Sequence, residues 1–343
     1  MANKPVIDVL ALGGTIAMVP GKDGGVSPGL SASDLVQAAP AVGQMAAVRA
    51  TSLAGVGSAN LTLDHVRDVL AHAARSDADA VIVTQGTDTL EETSFLASLA
   101  HDGSRPIVFT GAMRPPRAPG ADGPANLADS AATALHLARA GSGAVVLVMD
   151  NAVHDPARVV KAHTSRLDAF TADGGPLGQV VEGGCYLAAL PVPALRLDLS
   201  DCAPARVARL SVGLDDGDAG LMALDPARLD GLVVDAFGAG HVSEATADRL
   251  VELAARLPVV LASRTGFGRV LEGTYGYRGA EMDLIARGLI PSGGLGGARA
   301  RLALSVLLGG ARVVEGPNNG QGDGAAWRAA LDRLAGRDRA VTA

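Results

Sequence analysis

Two glycine-bounded turns each place a threonine hydroxyl directly after a short apolar run. Thr15 completes the sequence Gly-Gly-Thr, and Thr87 completes Gln-Gly-Thr just before the acidic residue Asp88. Glycine lets the backbone turn sharply and lets a ligand approach closely. A neutral hydroxyl is a weak nucleophile, so it needs a nearby base or charged group to react. Thr15 and Thr87 are therefore candidates for nucleophilic chemistry, provided that the fold brings them together.

Each of these threonines, taken alone, also has a purely structural explanation. Threonine and aspartate are common helix caps, so Thr15 and the pair Thr87 and Asp88 could simply begin helices. If a helix begins after the second turn, its first N–H groups could instead face a bound carboxylate. Neither turn has the spacing of a Walker phosphate-binding loop or of the G-x-G-x-x-G dinucleotide motif. The elements around the turns must therefore decide between these explanations.

Apolar runs of strand length precede both turns and recur along the first half of the chain. They cover residues 6–12, 80–84, 106–110 and 144–150. Helical patterns lie between them, at residues 63–75, 91–100 and 126–140. Strands that alternate with helices of this length indicate βαβ units and a mostly parallel sheet, and continuous apolar runs indicate strands buried on both faces. Ligands bind such sheets outside the carboxyl ends of the strands, where both threonines are expected.

The alternation pauses near the middle of the chain and then resumes. Residues 191–218 contain three prolines and no long period, and we interpret them as a linker. Strands are predicted at 231–236 and 258–262, and helices at 243–256, 297–308 and 325–334. The sequence thus predicts an α/β protein with a larger N-terminal parallel-sheet domain at 1–190 and a smaller C-terminal α/β domain at 219–343. A chain of 343 residues is long enough for two such cores.

Composition argues against several classes of function. The net charge of −7 and the lack of a dense Lys/Arg block argue against a nucleic-acid partner. The two cysteines, Cys185 and Cys202, fit a reducing compartment, and neither they nor the scattered histidines have a metal-binding spacing. No run approaches the roughly 20 apolar residues that span a bilayer. The N-terminal apolar run leads into a glycine turn rather than a signal-peptide cleavage site, so we expect a cytoplasmic protein.

Four sequence motifs, read together, are far more specific than either threonine alone. They are GGTIA at 13–17, TQGTDTLEET at 84–93, GAMRP at 111–115 and DGPANL at 122–127. In this order they resemble the asparaginase/glutaminase family, amidohydrolases that use threonine nucleophiles. VVK at 159–161 and GLIPSGG at 288–294 extend the resemblance over nearly the whole chain.

The resemblance implies catalytic roles for four residues. Thr15 matches the nucleophile that attacks the side-chain amide, and Thr87 matches a second threonine across the scissile bond. Asp88 and Lys161 match the acidic and basic partners of Thr87, and Asp88 is also expected to hold the substrate α-amino group. Backbone N–H groups near Thr87 are candidates for stabilising the oxyanion.

Further residues are implied to bind substrate, partly across a subunit boundary. Ser58 matches a serine that binds the α-carboxylate. Ala112 is also expected among the substrate-binding residues. Glu281 resembles a glutamate that reaches the α-amino group from a neighbouring subunit. His241 stands where secreted relatives have an asparagine, so it either lines the adjacent site or is structural. The resemblance implies a homotetramer built as a dimer of dimers, with neither a cofactor nor a metal.

A glycine-rich segment at residues 18–31, expected to be a mobile lid, departs from the family pattern. Many relatives carry a tyrosine there that contacts the nucleophilic threonine, whereas this chain has Val26, which cannot relay a proton. Ser27 beside it, or one of Tyr275 and Tyr277, could supply the missing hydroxyl. Tyr275 is the favoured candidate because it lies in a glycine-flanked turn. Alternatively, both tyrosine rings pack at a subunit interface.

The function expected from the resemblance is hydrolysis of L-asparagine to L-aspartate and ammonia, with L-glutamine as a weaker substrate. A first alternative is a different amide acted on by the same fold. A second is a non-catalytic amino-acid-binding protein, which the replacement of the lid tyrosine by Val26 would explain.

Overall fold

The computed structural model describes residues 4–21, 25–314 and 326–337. The chain divides into two compact units, Met1–Pro193 and Ala194–Ala343. Among the described residues, no helix is long and apolar enough to cross a membrane.

A mostly parallel sheet organises the first unit. The strands of this unit are β1 (Val6–Gly13), β2 (Met18–Pro20), β3 (Val26–Pro28), β4 (Ala47–Val56), β5 (Ala80–Thr84), β6 (Ile107–Thr110), β7 (Val145–Met149), β8 (Ala152–His154), β9 (Val159–Lys161), β10 (Phe170–Ala172), β11 (Gly178–Val181) and β12 (Gly184–Leu187). Eight of them form one sheet in the order β12-β11-β8-β7-β6-β5-β1-β4, in which β4, β1, β5, β6 and β7 are parallel. The carboxyl ends of these parallel strands therefore meet at one edge.

Helices pack against the sheet, which explains why its central strands are continuously apolar. They are α1 (Ala32–Ala38), α2 (Pro40–Met45), α3 (Leu63–Arg75), α4 (Leu90–Ala100) and α5 (Gly123–Arg139). Every residue of β5 and β6 is buried, and one core cluster joins Ile82 and Val108 of these strands to Leu135 of α5. Short 3-10 turns at Thr15–Ala17, Ser58–Asn60 and Thr87–Thr89 follow the ends of β1, β4 and β5.

The second unit has its own parallel sheet and core. Its strands are β13 (Leu197–Asp198), β14 (Val207–Ser211), β15 (Gly231–Ala236), β16 (Val259–Ser263), β17 (Ile290–Pro291) and β18 (Arg312–Val313). Its helices are α6 (Ala219–Met222), α7 (Glu244–Ala254), α8 (Glu281–Ala286), α9 (Gly297–Leu308) and α10 (Ala326–Leu334). The parallel order β14-β15-β16-β17 is built around Val234, Leu250 and Leu261, which are fully buried.

The predicted α/β class, with the larger parallel sheet in the N-terminal unit, is confirmed. The division between the units falls after Pro193, near the start of the proposed linker at 191–218, and β14 within that segment belongs to the second sheet. β4 was also missed. Both β4 and β14 are edge strands whose burial alternates with exposure, so neither shows the continuous apolar run of a central strand.

His154 is a buried polar residue at the end of β8 in the first sheet. Its ring is 3% exposed, and neither ring nitrogen has a hydrogen-bond partner among the described residues. Burial lowers the pKa of His154 to about 4, from an ordinary value of 6.5. The folded state therefore holds this ring neutral where the unfolded chain would protonate it.

We expect this histidine to make the fold sensitive to acid. Above pH 6.5 the ring leaves the free energy of unfolding unchanged by pH. As the pH falls towards 4, the free energy of unfolding decreases, because the unfolded state binds a proton that the folded state does not. Since one pKa unit corresponds to about 1.4 kcal/mol, the total loss is about 3 kcal/mol. Urea unfolding between pH 7 and 4 should show this loss in the wild type and not in His154→Leu. Identical pH dependence in both proteins would contradict the assignment.

Candidate active site

Three turns pack backbone against backbone at the carboxyl edge of the first sheet. A Cβ atom placed on Gly14, whose φ is 81°, would lie 2.0 Å from the backbone nitrogen of Gly86. One placed on Gly86 would lie 2.8 Å from Ser58 Oγ. Only glycine fits either position, and this contact brings together the turns that carry Thr15, Ser58 and Thr87.

Lys161 connects Thr87 and Asp88. Its Nζ donates hydrogen bonds to Thr87 Oγ1 at 2.8 Å and to Asp88 Oδ1 at 2.6 Å. The lysine side chain is 16% exposed, whereas that of Asp88 is 73% exposed, so the ammonium group is held inside and the carboxylate remains open to a ligand. An amine in direct contact with a hydroxyl can orient it and exchange a proton with it, which is the partner that a weak nucleophile needs.

The start of α4 holds Lys161 in place. The backbone N–H of Lys161, at the end of β9, donates a hydrogen bond to the Glu91 carboxylate. Thr89 Oγ1 donates to the backbone carbonyl of Ser58 at 3.0 Å, which ties the second and third turns together. Ser58 is itself buried, so its hydroxyl is enclosed beside Gly86.

The loop after β6 closes a further side of the site. Ala112 is buried there, and a Cβ atom on Gly111 would lie 3.2 Å from Thr87 Cγ2. Asp122 fixes the loop because its carboxylate accepts hydrogen bonds from the backbone N–H groups of Met113 and Arg114, at 2.8 and 2.9 Å. The loop therefore lies against Thr87 in a defined conformation.

Asn126, in the first turns of α5, was not singled out from the sequence although it lies in the DGPANL motif. Its Nδ2 donates to the Gly111 carbonyl at 3.1 Å and to Asp122 Oδ2 at 3.0 Å. Its Oδ1 accepts from the backbone N–H of Asp150 at 3.0 Å. This buried amide joins the ends of β6 and β7, so it positions the loop that contacts Thr87.

Thr15 is partly buried, and its hydroxyl forms no hydrogen bond with any of the described residues. In the predicted lid, β2 and β3 pair antiparallel, with Val19 opposite Ser27, and Ser27 is exposed. The side chain of Val26 and residues 22–24 lie outside the described part of the chain. Within the portion that the structure describes, no base is hydrogen-bonded to the hydroxyl at the end of β1.

Glu281 lies in the second unit, at the start of α8. It is fully buried, and Oε1 accepts hydrogen bonds from the backbone N–H groups of Thr274 and Tyr275 at 2.9 and 2.7 Å. Its Oε2 lies 3.1 Å from His241 Nε2. Burial alone would raise the pKa of Glu281, but the hydrogen bonds outweigh it and lower the pKa. These contacts hold the carboxylate in one position, and its predicted role in binding the substrate α-amino group stays a prediction.

His241 is the centre of an aromatic cluster in the second unit. The Tyr277 hydroxyl lies 3.2 Å from His241 Nδ1, and the ring centroids of His241 and Tyr275 are 4.9 Å apart. Tyr275 and Tyr277 are 43% and 56% exposed. No local pattern predicts the contact between His241 and Tyr277, because 36 positions separate them.

Within the ranges that the structure describes, no group of three or more histidine, cysteine or acidic residues could hold a metal ion.

Comparison with protein families accounts for both units. The asparaginase N-terminal domain family matches residues 6–191, and the glutaminase/asparaginase C-terminal domain family matches residues 206–315. The chain belongs to the asparaginase family. The two matches cover the turns of Thr15, Ser58 and Thr87 as well as the cluster around Glu281.

Individual asparaginases are similar to this chain over most of their length. A probable L-asparaginase of Deinococcus radiodurans is 35% identical, over 90% of this chain and 94% of its own. L-asparaginase 2 of Escherichia coli is 32% identical, over 89% of each chain. The crystal structure of a probable cytoplasmic L-asparaginase from Campylobacter jejuni superposes with a TM-score of 0.80 at 26% identity, and the match covers 96% of this chain and 99% of that one. The resemblance found in the sequence motifs is therefore confirmed.

Proposed function

We propose that this protein hydrolyses the side-chain amide of L-asparagine to L-aspartate and ammonia in the cytoplasm, with L-glutamine as a weaker substrate. The observation that carries the proposal is the packing of the Thr15, Ser58 and Thr87 turns against one another, with Lys161 Nζ hydrogen-bonded to Thr87 Oγ1. Membership of the asparaginase family and full-length similarity to L-asparaginases support it. The similarity to a probable cytoplasmic L-asparaginase supports the location.

Each candidate site residue of the first unit has a role in the proposed reaction. Thr15 Oγ attacks the amide carbon, ammonia leaves, and water then releases aspartate from the acyl-enzyme. Thr87 acts from the other side of the amide and exchanges a proton with Lys161, which Asp88 keeps in contact with it. Asp88, largely exposed, binds the substrate α-amino group, and the enclosed Ser58 hydroxyl binds the α-carboxylate.

The proposal extends to the surroundings of the reaction. Ala112 lines the substrate pocket in the loop beside Thr87, and backbone N–H groups at the Thr87 turn stabilise the oxyanion. Side-chain amide hydrolysis of this kind requires neither a metal nor a cofactor.

The proposed assembly is a homotetramer, a dimer of dimers with active sites shared between subunits. Large exposed apolar side chains gather in one segment of the second unit, which supports an interface there. They are Phe267, Leu271, Tyr275, Tyr277 and Met282. Light scattering during size-exclusion chromatography tests this assembly, and a fully active monomer would contradict the shared site.

Ammonia release from a panel of amides tests the reaction itself. L-asparagine should be the best substrate, followed by L-glutamine, with D-asparagine and amides on larger carriers poor. Preference for one of the latter would favour the first alternative, a different amide. Thermal stabilisation by L-asparagine without ammonia release from any amide would favour a non-catalytic binding protein.

Loss of the Asn126 side-chain amide should lower turnover by displacing the loop beside Thr87, not by removing a contact with the substrate. Asn126→Leu leaves the Gly111 carbonyl and the Asp150 N–H unpaired, which costs roughly 1–3 kcal/mol of folding stability for each group. A displaced loop beside Thr87 should lower kcat by on the order of a hundredfold. Ser130→Ala is a matched control, since it removes a buried hydrogen bond of the same helix without touching the loop. Equal kcat values in the two variants would show that Asn126 does not position the site.

A further inference from the structure

A hydrogen-bonded series runs from a buried carboxylate to an exposed phenol in the second unit. Glu281 is fully enclosed, His241 lies against it through Nε2, and the Tyr277 hydroxyl lies against His241 Nδ1. This series has the order acid, imidazole, hydroxyl, in which an anchored imidazole activates a hydroxyl for proton transfer. It is separate from the pair formed by Thr87 and Lys161 in the first unit.

The anchoring of Glu281 determines which ring nitrogen of His241 carries the proton. Two backbone N–H groups and burial hold the carboxylate in one position, and its remaining oxygen faces His241 Nε2. A carboxylate accepts hydrogen bonds, so Nε2 carries the hydrogen and Nδ1 is left as the acceptor. The Tyr277 hydroxyl therefore donates to Nδ1, and its oxygen is free to take a proton from elsewhere.

Two neighbouring tyrosines share this environment, but the geometry distinguishes them. Both rings contact the ring of His241, at centroid distances of 4.9 Å for Tyr275 and 5.6 Å for Tyr277. Of these two tyrosines, Tyr277 is the one whose hydroxyl lies on a nitrogen of His241 among the contacts of the described residues. The sequence favoured Tyr275, and the structure favours Tyr277.

We infer that Tyr277 is a catalytic residue that relays the proton of the Thr15 hydroxyl of a neighbouring subunit, with His241 and Glu281 as its positioning residues. This role is a step of the amide hydrolysis proposed above, so it rests on the proposed function. It supplies a base to the Thr15 hydroxyl, which forms no hydrogen bond within the described part of its own chain. Tyr277 is 56% exposed, so its hydroxyl is accessible to a second molecule.

The proton transfers balance over the acylation step. As the Thr15 oxygen bonds to the amide carbon, its proton passes to the Tyr277 oxygen, and the Tyr277 proton passes to His241 Nδ1. The imidazolium that forms is stabilised by Glu281. As the carbon–nitrogen bond breaks, His241 returns its proton to Tyr277, and Tyr277 gives one to the leaving nitrogen, which departs as ammonia. Each residue ends the step in the protonation state in which it began, except Thr15, which carries the acyl group.

Removal of single hydroxyls tests the relay in the intact protein. Tyr277→Phe should lower kcat for L-asparagine by on the order of a hundredfold with little change in KM, since a general acid–base group is lost. Tyr275→Phe is the matched control and should retain wild-type kcat, because it also keeps its ring against His241. Wild-type kcat in Tyr277→Phe would overturn the proposal. Absence of ammonia release by the wild type would instead overturn the proposed function.

A double-mutant cycle separates positioning from mere support of the fold. If His241 acts through Tyr277, His241→Ala should lower kcat in the wild-type background and cost nothing further in Tyr277→Phe. Additive losses in log kcat would overturn the role of His241. Thermal unfolding of all variants verifies that each is folded.

Hybrid oligomers test whether Tyr277 of one subunit completes the active site that contains Thr15 of another. Thr15→Ala and Tyr277→Phe subunits, each inactive or nearly so alone, are co-expressed with different tags and isolated as hybrids. A shared site that takes Thr15 from one copy and Tyr277 from the other is intact, so activity should return. Hybrids as inactive as their parents would overturn the transfer between subunits.

Discussion

Replacing Thr15 with alanine is expected to lower kcat by on the order of a thousandfold or more, because the covalent nucleophile is lost. Stability should be nearly unchanged, since the Thr15 hydroxyl has no hydrogen-bond partner among the described residues. Ammonia release from L-asparagine by the purified variant measures the loss, and thermal unfolding verifies the fold.

Thr15→Ser is the matched control for this experiment. It keeps a primary hydroxyl at the same strand end and should retain a substantial part of the activity. Near-normal ammonia release by a folded Thr15→Ala protein would rule out Thr15 as the nucleophile.

The second large effect concerns the pair formed by Thr87 and Lys161. Thr87→Ala removes the hydroxyl that accepts from Lys161 Nζ at 2.8 Å, and Lys161→Met removes the amine with little change in side-chain volume. Each should lower kcat by on the order of a thousandfold, and the double variant should be little worse, because residues that act as one unit give non-additive losses.

Lys4→Met provides the control for Lys161→Met, since it makes the same chemical change at an exposed position of the same unit and should leave kcat unaltered. Losses in log kcat that simply add in the double variant would show that Thr87 and Lys161 act independently.

The site in the first unit was largely predictable because local sequence determines it. A buried strand must end in a turn, and the glycines at that turn mark where backbones approach closely, as Gly14 and Gly86 do. The parallel pairing of β1 with β5 then places Thr15 and Thr87 at the same edge. Lys161 was placed correctly beside Thr87 only through the family motifs, since its own surroundings suggest an ordinary surface lysine.

What the sequence did not reveal depends on the conformations of loops and on contacts between distant positions. The burial of Glu281 follows from the path of residues 274–275 around its carboxylate, which no local pattern encodes. The contact between His241 and Tyr277 depends on how two loops of the second unit fold against each other. β14, which lies within the proposed linker, was not predicted because it is an edge strand with alternating burial.

Trapping the covalent intermediate tests the central claim most directly. L-asparagine is mixed with the wild-type protein, the reaction is quenched in acid within milliseconds, and peptides are mapped by mass spectrometry. An aspartyl group should be found on the peptide that contains Thr15, and it should be absent from Thr15→Ala treated in the same way. An aspartyl group on the Thr87 peptide instead, or ammonia release by the wild type with no adduct on Thr15 at any quench time, would contradict the account.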